Sequence, residues 1–273
     1  MDVTILGSGS PMPHPDRAGP ATLVRACDRN FLFDCGRGVL MRTAAVDVGA
    51  AALAGLFITH MHSDHTTDFN DVITTRWIMS PSPNPLAVYG PAGLAAFARA
   101  TLAALETDIG YRIAHHDDLT DPPRLDVHEL EAGLALDTDG VRITCAPTDH
   151  SPVHPTLGYR IEAEGLVVAI AGDTVPCAGL DEICQDADIY VQTAIRRDVV
   201  ERARMQRMRD VLDYHSDVRQ AGETARRCGV KTLVLNHLVP PPSPEQEADW
   251  KTIAAEVFDG EILLARDLMR IGS

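Results

Sequence analysis

His60-Met61-His62-Ser63-Asp64-His65 puts three imidazoles and one carboxylate into six residues, directly behind the apolar run Leu56-Phe57-Ile58. Imidazole and carboxylate donors suit divalent Zn, Fe, Mn or Ni. In an extended segment alternate side chains point the same way, so His60, His62 and Asp64 can share a face while His65 points elsewhere. One metal cannot use ligands offered in two directions, but two adjacent metals can. A polar surface loop rarely collects four potential ligands at the end of an apolar strand by chance.

The arrangement recurs along the chain. A strand-like run at 142–146 is followed by His150, one at 167–170 by Gly172-Asp173-Thr174, and one at 233–235 by Asn236-His237. Potential ligands therefore stand at the C-terminal tips of four apolar runs, where the ligand sites of open α/β sheets gather. A single histidine at a strand tip is more often structural; four such tips point to one shared metal site.

The elements that must carry these tips alternate, which argues for an α/β protein. Strands are expected at 3–6, 22–25, 30–34, 53–59, 141–146, 158–162, 167–171, 232–235 and 262–264. Helices are expected at 39–46, 91–105 (with Pro91 in the first turn), 217–228 and 245–258. Asp217 reads as an N-cap with Gln220 three residues on and Gly229 as the stop. Pro240-Pro241-Pro242-Ser243-Pro244 reads as a stiff turn rather than a linker, because a helix and a strand follow. With no internal repeat, residues 1–273 are expected to form a single domain.

Composition bounds the partners. Of 273 residues 45% are hydrophobic but only 5% aromatic, so aliphatic side chains must fill the core. The formal net charge of -15 repels phosphate backbones and anionic lipid heads, which points away from nucleic acid and from membranes. No apolar stretch approaches the ~20 residues that span a bilayer, and the first residues read as a strand rather than a secretion leader. The six cysteines, without C-x-x-C spacing, read as reduced thiols of a cytoplasmic protein. Arg196, Arg197, Arg202, Arg204, Arg207 and Arg209 crowd one segment with Asp198, Glu201 and Asp210. They form either an ion-paired, solvated face or a patch for an anionic substrate or partner subunit. Gly7-Ser8-Gly9 is not a dinucleotide loop, since Met12 stands at the third glycine position and Pro11, Pro13 and Pro15 prevent the required helix. No G-x-S-x-G supports serine catalysis.

The order H-x-H-x-D-H, His150, Gly172-Asp173-Thr174, His237 resembles the metallo-β-lactamase superfamily. Leu6-Gly7-Ser8-Gly9-Ser10-Pro11 and Phe33-Asp34-Cys35-Gly36 are similar to its opening strands. Gly158-Tyr159-Arg160 and His215-Ser216 are similar to the branch that holds ribonuclease Z, the tRNA 3′-processing endonuclease, and arylsulfatase-like hydrolases. The resemblance implies a four-layer αββα sandwich of two mixed β-sheets. It also implies two Zn2+ ions, with Mn2+ or Fe2+ as alternatives. One would be held by His60, His62 and His150, the other by Asp64, His65 and His237, and Asp173 would bridge them. A metal-bound hydroxide would attack an ester. His215 would assist proton transfer to the leaving group, making Asp64 and His215 the candidate catalytic residues. Asp149 is a candidate to orient His150. His154 is read as a solvated loop residue with a pocket role as its alternative, and His14, His115, His116 and His128 as surface residues.

The chain departs from the branch in two places. Ribonuclease Z typically carries a tRNA-gripping arm between its second and third motifs, but only 22 residues separate His150 from Asp173. The family's His-Glu-Ala-Thr segment stands here as Gln192-Thr193-Ala194-Ile195. With the acidic balance, the expected substrate is therefore a small-molecule ester: a phosphodiester, sulfate ester, lactone or thioester. Segments 78–86 and 114–134, with Trp77 and Met79, would shape an apolar pocket over the metals. Ribonuclease Z-type tRNA cleavage and a non-catalytic metal-dependent sensor are the alternatives. The branch is often dimeric, so a homodimer with a two-fold interface is a further expectation.

Overall fold

The computed structural model describes residues 1–272; Ser273 lies outside the described residues. Its strands are β1 (Asp2–Gly7), β2 (Ala21–Ala26), β3 (Arg29–Phe33), β4 (Leu53–Phe57), β5 (Leu86–Pro91), β6 (Leu125–Leu130), β7 (Gly133–Thr138), β8 (Val141–Pro147), β9 (Leu157–Ala163), β10 (Leu166–Ile170), β11 (Ile189–Ile195), β12 (Thr232–Val239), β13 (Glu261–Leu264) and β14 (Met269–Ile271). They form two seven-stranded sheets, ordered β14-β1-β2-β3-β4-β5-β6 and β13-β12-β11-β10-β9-β8-β7. Each sheet is antiparallel on one side and parallel on the other: β3-β4-β5-β6 are parallel in the first, and β10-β11-β12-β13 in the second.

The sheets pack face to face through Val3, Val24, Phe33 and Phe57 on one side and Ile143, Tyr159, Ile161, Val168 and Val191 on the other. The outer face of the first sheet, with Leu23, Leu32, Leu56 and Val88, is covered by Val39, Phe69, Val72, Ile73 and Leu94 from helices. That of the second, with Ala169, Tyr190, Leu233 and Leu235, is covered by Leu180, Ala221, Ala225, Trp250 and Ala254. Strands buried on both faces read as continuous apolar runs rather than as alternation, and the expected strands 53–59 and 167–171 read in this way. The layers are the expected αββα sandwich of two mixed sheets.

Phe57 anchors the strand that leads to the histidine cluster. Its ring stacks between Phe33 and Tyr89, with centroids 4.9 and 4.6 Å away. Truncating such a fully buried ring to alanine costs about 3–5 kcal/mol. Just beyond it, the Tyr159 hydroxyl donates to the Ile58 carbonyl across the sandwich at 2.7 Å, so β4 leaves the sheet at a fixed point.

Beside β6, β7 and β11, which are not among the expected strands, three boundaries near the ligand-bearing strands and the chain end differ from expectation. Residues 86–91, expected as loop and helix start, form β5, and Pro91 closes that strand; the helix begins at Leu94 behind Gly93. β12 runs on through Asn236 and His237, so His237 sits within a strand rather than past its tip. After β13 the chain crosses to the first sheet as β14, a strand too short to leave a pattern. The Asp217 capping box holds: Asp217 Oδ1 accepts from Gln220 N, and Gln220 Oε1 from Asp217 N, at 2.9 and 3.0 Å.

Candidate metal centre

β4, β8, β10 and β12 all deliver their C-terminal ends to one end of the sandwich. After Phe57 the chain stays extended through His62, then turns into a single helical turn, Ser63–Thr66. The turn corrects one local reading: Asp64 does not share a face with His60 and His62, because a helical turn rotates it away from them. Gly172, at φ +66°, lets the Asp173 loop close onto the His60 loop, since a Cβ there would stand 2.8 Å from Thr59 Cβ. His237 itself sits at φ +49°, a left-handed conformation that costs a non-glycine residue of order 1–3 kcal/mol and is held here by a site.

The seven expected ligands meet in a first group of His60, His62, His150 and Asp173 and a second of Asp64, His65 and His237, and Asp173 also groups with His215 and His237. In the first, His62 Nδ1 lies 3.0 Å from His60 Nε2 and 3.3 Å from His150 Nε2. His150 Nδ1 donates to the Tyr214 carbonyl at 2.7 Å. His60 Nδ1 faces Thr59 Oγ1 at 3.0 Å, and that hydroxyl is committed as a donor to Asp34. Both rings therefore carry their proton on the outer nitrogen and aim an inner lone pair at His62. In the second group, His237 Nε2 lies 3.1 Å from Asp64 Oδ2, and His65 Nε2 lies 3.7 Å from the same oxygen. Asp173 Oδ2 stands between the groups, 3.4 Å from His65, 3.6 Å from His237, 3.7 Å from His60 and 3.9 Å from His150.

Burial pushes His60 well below the usual imidazole range and takes His150 down to about 4; it lowers His62 as well. Burial opposes charge on His65 too, but Asp173 and Asp34 outweigh it and hold His65 well above that range. Asp173, with Asp64, likewise raises His237 against its burial. Burial would raise both carboxyls, yet His237 and His65 hold Asp173 well below the carboxylate range, and His237 lowers Asp64.

These residues fit divalent cations. Converging lone pairs repel one another unless a cation lies between them. Zinc–nitrogen bonds of about 2.0–2.1 Å place tetrahedral donors about 3.3–3.4 Å apart, close to the separations in the three-histidine group. His65 Nε2, buried and aimed at the centre, has no hydrogen-bond partner among the described residues, and a buried polar atom left so is costly.

His215 also reaches the centre. Its Nδ1 donates to the Val211 carbonyl at 2.9 Å, and its Nε2 lies 3.2 Å from Asp173 Oδ2. Asp149 does not orient His150; its carboxylate accepts from Ser151 N at 3.2 Å, and the Tyr214 carbonyl takes that role. His154, His115 and His116 are exposed and take no part, and His14 and His128 are half-exposed elsewhere. Three supports were not singled out from sequence. Asp34 accepts from His65 Nδ1 and Thr59 N, each at 2.8 Å. Thr59 holds His60, and Thr193 Oγ1 donates to Asp173 Oδ1 at 2.7 Å. The one available signal was Asp34 directly past an apolar strand, in Phe33-Asp34-Cys35-Gly36. The two loop segments expected over the metals do line a pocket together, with Trp77, Asn84, His116, Leu119 and Arg124. It lies at the far end of the helix Phe69–Met79, which is about 16 Å long, and none of the cluster residues lines it.

Residues 29–238 match the β-lactamase superfamily domain. Over its full length the chain is 54% identical to ribonuclease Z of Mycobacterium bovis, covering 99% of this chain and 98% of the relative. Among solved structures, a metallo-β-lactamase fold protein from Bacillus subtilis superposes with a TM-score of 0.76 at 21% identity, over 99% of this chain and 98% of that one. The short form of human tRNase Z superposes with a TM-score of 0.73 at 25% identity, over 100% and 99%.

These relatives overturn two expectations, that the substrate is a small-molecule ester and that nucleic acid is an unlikely partner. Net charge is a sum over the whole surface, whereas a polyanion responds to the local field where it docks. The short span between His150 and Asp173 carries no weight either, because the chain covers 98% of a relative named ribonuclease Z. The chain belongs to the metallo-β-lactamase superfamily and, within it, to the ribonuclease Z family, and it is a metal-dependent hydrolase.

Proposed function

We propose that this chain is a ribonuclease Z-type endonuclease that cleaves precursor tRNA at its 3′ side. The observation that carries the reading is full-length identity of 54% to ribonuclease Z, joined to the convergence of all seven expected ligands and His215 on one centre. In this reading His60, His62 and His150 hold one Zn2+, Asp64, His65 and His237 hold the second, and Asp173 Oδ2 faces both. Bound there, the ions would polarise the scissile phosphodiester and supply hydroxide near neutral pH.

The chain's own groups do the rest. Thr193 holds Asp173 Oδ1 and thereby turns Oδ2 inward. Asp34 fixes His65, and the Tyr214 carbonyl fixes His150, so the ligands meet substrate with little left to reorganise. His215, held at Nδ1 by the Val211 carbonyl and facing Asp173 Oδ2 through Nε2, would pass a proton to the departing 3′-oxygen. Residues 1–273 are read as one hydrolase domain, supported by an inter-sheet core that draws on residues from Val3 to Ile271. A cytoplasmic homodimer is part of the same reading. Six free cysteines support the compartment, and the exposed Met41, Met79 and Tyr111 offer apolar surface for a partner copy. The test is cleavage of a precursor tRNA with a 3′ trailer, compared with an aryl phosphodiester and an aryl sulfate. Turnover of the small esters alone would contradict the reading.

A further inference from the structure

Most Arg and Lys side chains of this acidic protein are spent on a carboxylate, as in Arg29–Asp139, Arg142–Asp137, Arg227–Asp181 and Lys231–Asp188. The segment between Ile195 and His215 breaks that pattern. Its first two arginines are anchors: Arg196 grips Asp198 with two bonds of 2.8 Å and lies over the Trp250 ring, and Arg197 grips Asp217 at 2.6 Å. The next three, Arg202, Arg204 and Arg207, are exposed. Among the described residues none of them has a carboxylate within ion-pair distance. The local acids are otherwise engaged, Asp198 by Arg196, Glu201 by Arg197 and Asp210 by Gln206, which leaves Asp213 as the acid of the segment with no such partner among the described residues.

The segment is tied to the metal centre at both ends. Ile195 N bonds Ser216 O, and Arg196 N bonds Val239 O, two residues past His237. Val200, Val211 and Leu212 pack with Ile195, Val239 and Met12. At its end, the Val211 carbonyl holds His215 and the Tyr214 carbonyl holds His150. The half-exposed Tyr214 ring stands edge-on to His150, with centroids 5.1 Å apart. A polyanion lying along the segment therefore leads straight into the centre.

We propose that residues 196–214 form the RNA-docking strap of this enzyme, with Arg202, Arg204 and Arg207 taking backbone phosphates beside the scissile bond and Tyr214 offering a face to an adjoining base. The proposal rests on the ribonuclease Z reading and names where its substrate lies. Guanidinium groups without a carboxylate partner match phosphate oxygens in paired, forked geometry, and an aromatic ring beside a cationic track is a stacking platform for single-stranded nucleic acid. A second protein copy fits less well. Interface cores are depleted in charge and enriched in apolar and aromatic groups, whereas the strap presents arginines with Met205 as its one large exposed hydrophobic residue.

The test measures KM and kcat for precursor tRNA at several salt concentrations with R202A/R204A/R207A. A charge-matched control, R99A/R226A/K251A, sits outside the strap, and metal content and molar mass are measured alongside. Losing three phosphate contacts should raise KM about tenfold or more, and should flatten the slope of log affinity against log salt by about 2. The control should keep its KM, and R202K/R204K/R207K should recover part of the loss. An active wild type with an unchanged KM and salt slope in the triple variant would overturn the strap while leaving the enzyme reading intact. A wild type that leaves precursor tRNA uncut would overturn the reading beneath it. A triple variant whose molar mass falls by half would assign the segment to an interface between copies, and would overturn the strap as well.

Discussion

The two ligand groups are built from opposite electrostatics. His60, His62 and His150 are three imidazoles whose buried rings disfavour a proton, so they meet a cation as ready neutral donors. Asp64, His65 and His237 form an ion-paired knot in which Asp173, Asp34 and Asp64 draw protons onto the two rings. A metal entering the first group displaces no proton near neutral pH, whereas one entering the second must evict protons that carboxylates hold in place. Metal affinity therefore responds to pH differently on the two sides. Seven candidate ligands of similar type thus form two electrostatically unequal groups.

The largest effect tests the residue that joins them. Asp173→Ala removes the oxygen facing both groups and leaves ring protons without their counter-charge, so metal content should collapse and turnover should fall by about 10³ or more. Retention of two metals in that variant would break the shared-site account. His62→Ala should empty the three-histidine side and abolish hydrolysis, checked by elemental analysis beside the rate. His215→Ala should keep both metals yet lose about 10²–10⁴ in rate; an unchanged rate would remove His215 from proton transfer, and lost metal would make it a ligand.

Lowering the pH sharpens the comparison. His65 and His237 carry raised folded-state values, so proton competition there begins above the ordinary imidazole range and grows as pH falls. His150, lowered to about 4, keeps its lone pair far below that. Equilibrium metal counts should therefore fall from two toward one as pH drops into the imidazole range, the carboxylate side emptying first. Simultaneous loss of both would contradict the inequality. The smallest effect belongs to Thr193→Val, which frees Asp173 Oδ1 from its donor. Metal affinity should drop about 10–100-fold, and Thr193→Ser should restore it.

The seven candidate ligands are legible as a cluster because they follow apolar strands or, like His237, lie near the end of one, and strand ends announce themselves in sequence. The sandwich was legible for the same reason, since doubly buried strands such as β4 and β10 are continuous apolar runs. What failed was what depends on distant chain meeting. Asp34 supports His65, and Thr193 supports Asp173, through contacts that no local spacing encodes. β5 was read as loop and helix because Pro91 resembles a first-turn proline, while its pairing with β6 is a tertiary fact. Substrate class is not legible in a charge of -15, because a sum over the surface is not the local field where a polyanion docks. Arg202, Arg204 and Arg207 are visible in the sequence, but their lack of carboxylate partners is visible only in the fold.

The most direct measurement of the central claim is 3′-end mapping of a precursor tRNA incubated with the purified protein. The account predicts a single cut on the 3′ side of the tRNA body, abolished by a chelator and restored by Zn2+. An intact precursor in the presence of fully metal-loaded protein would contradict it.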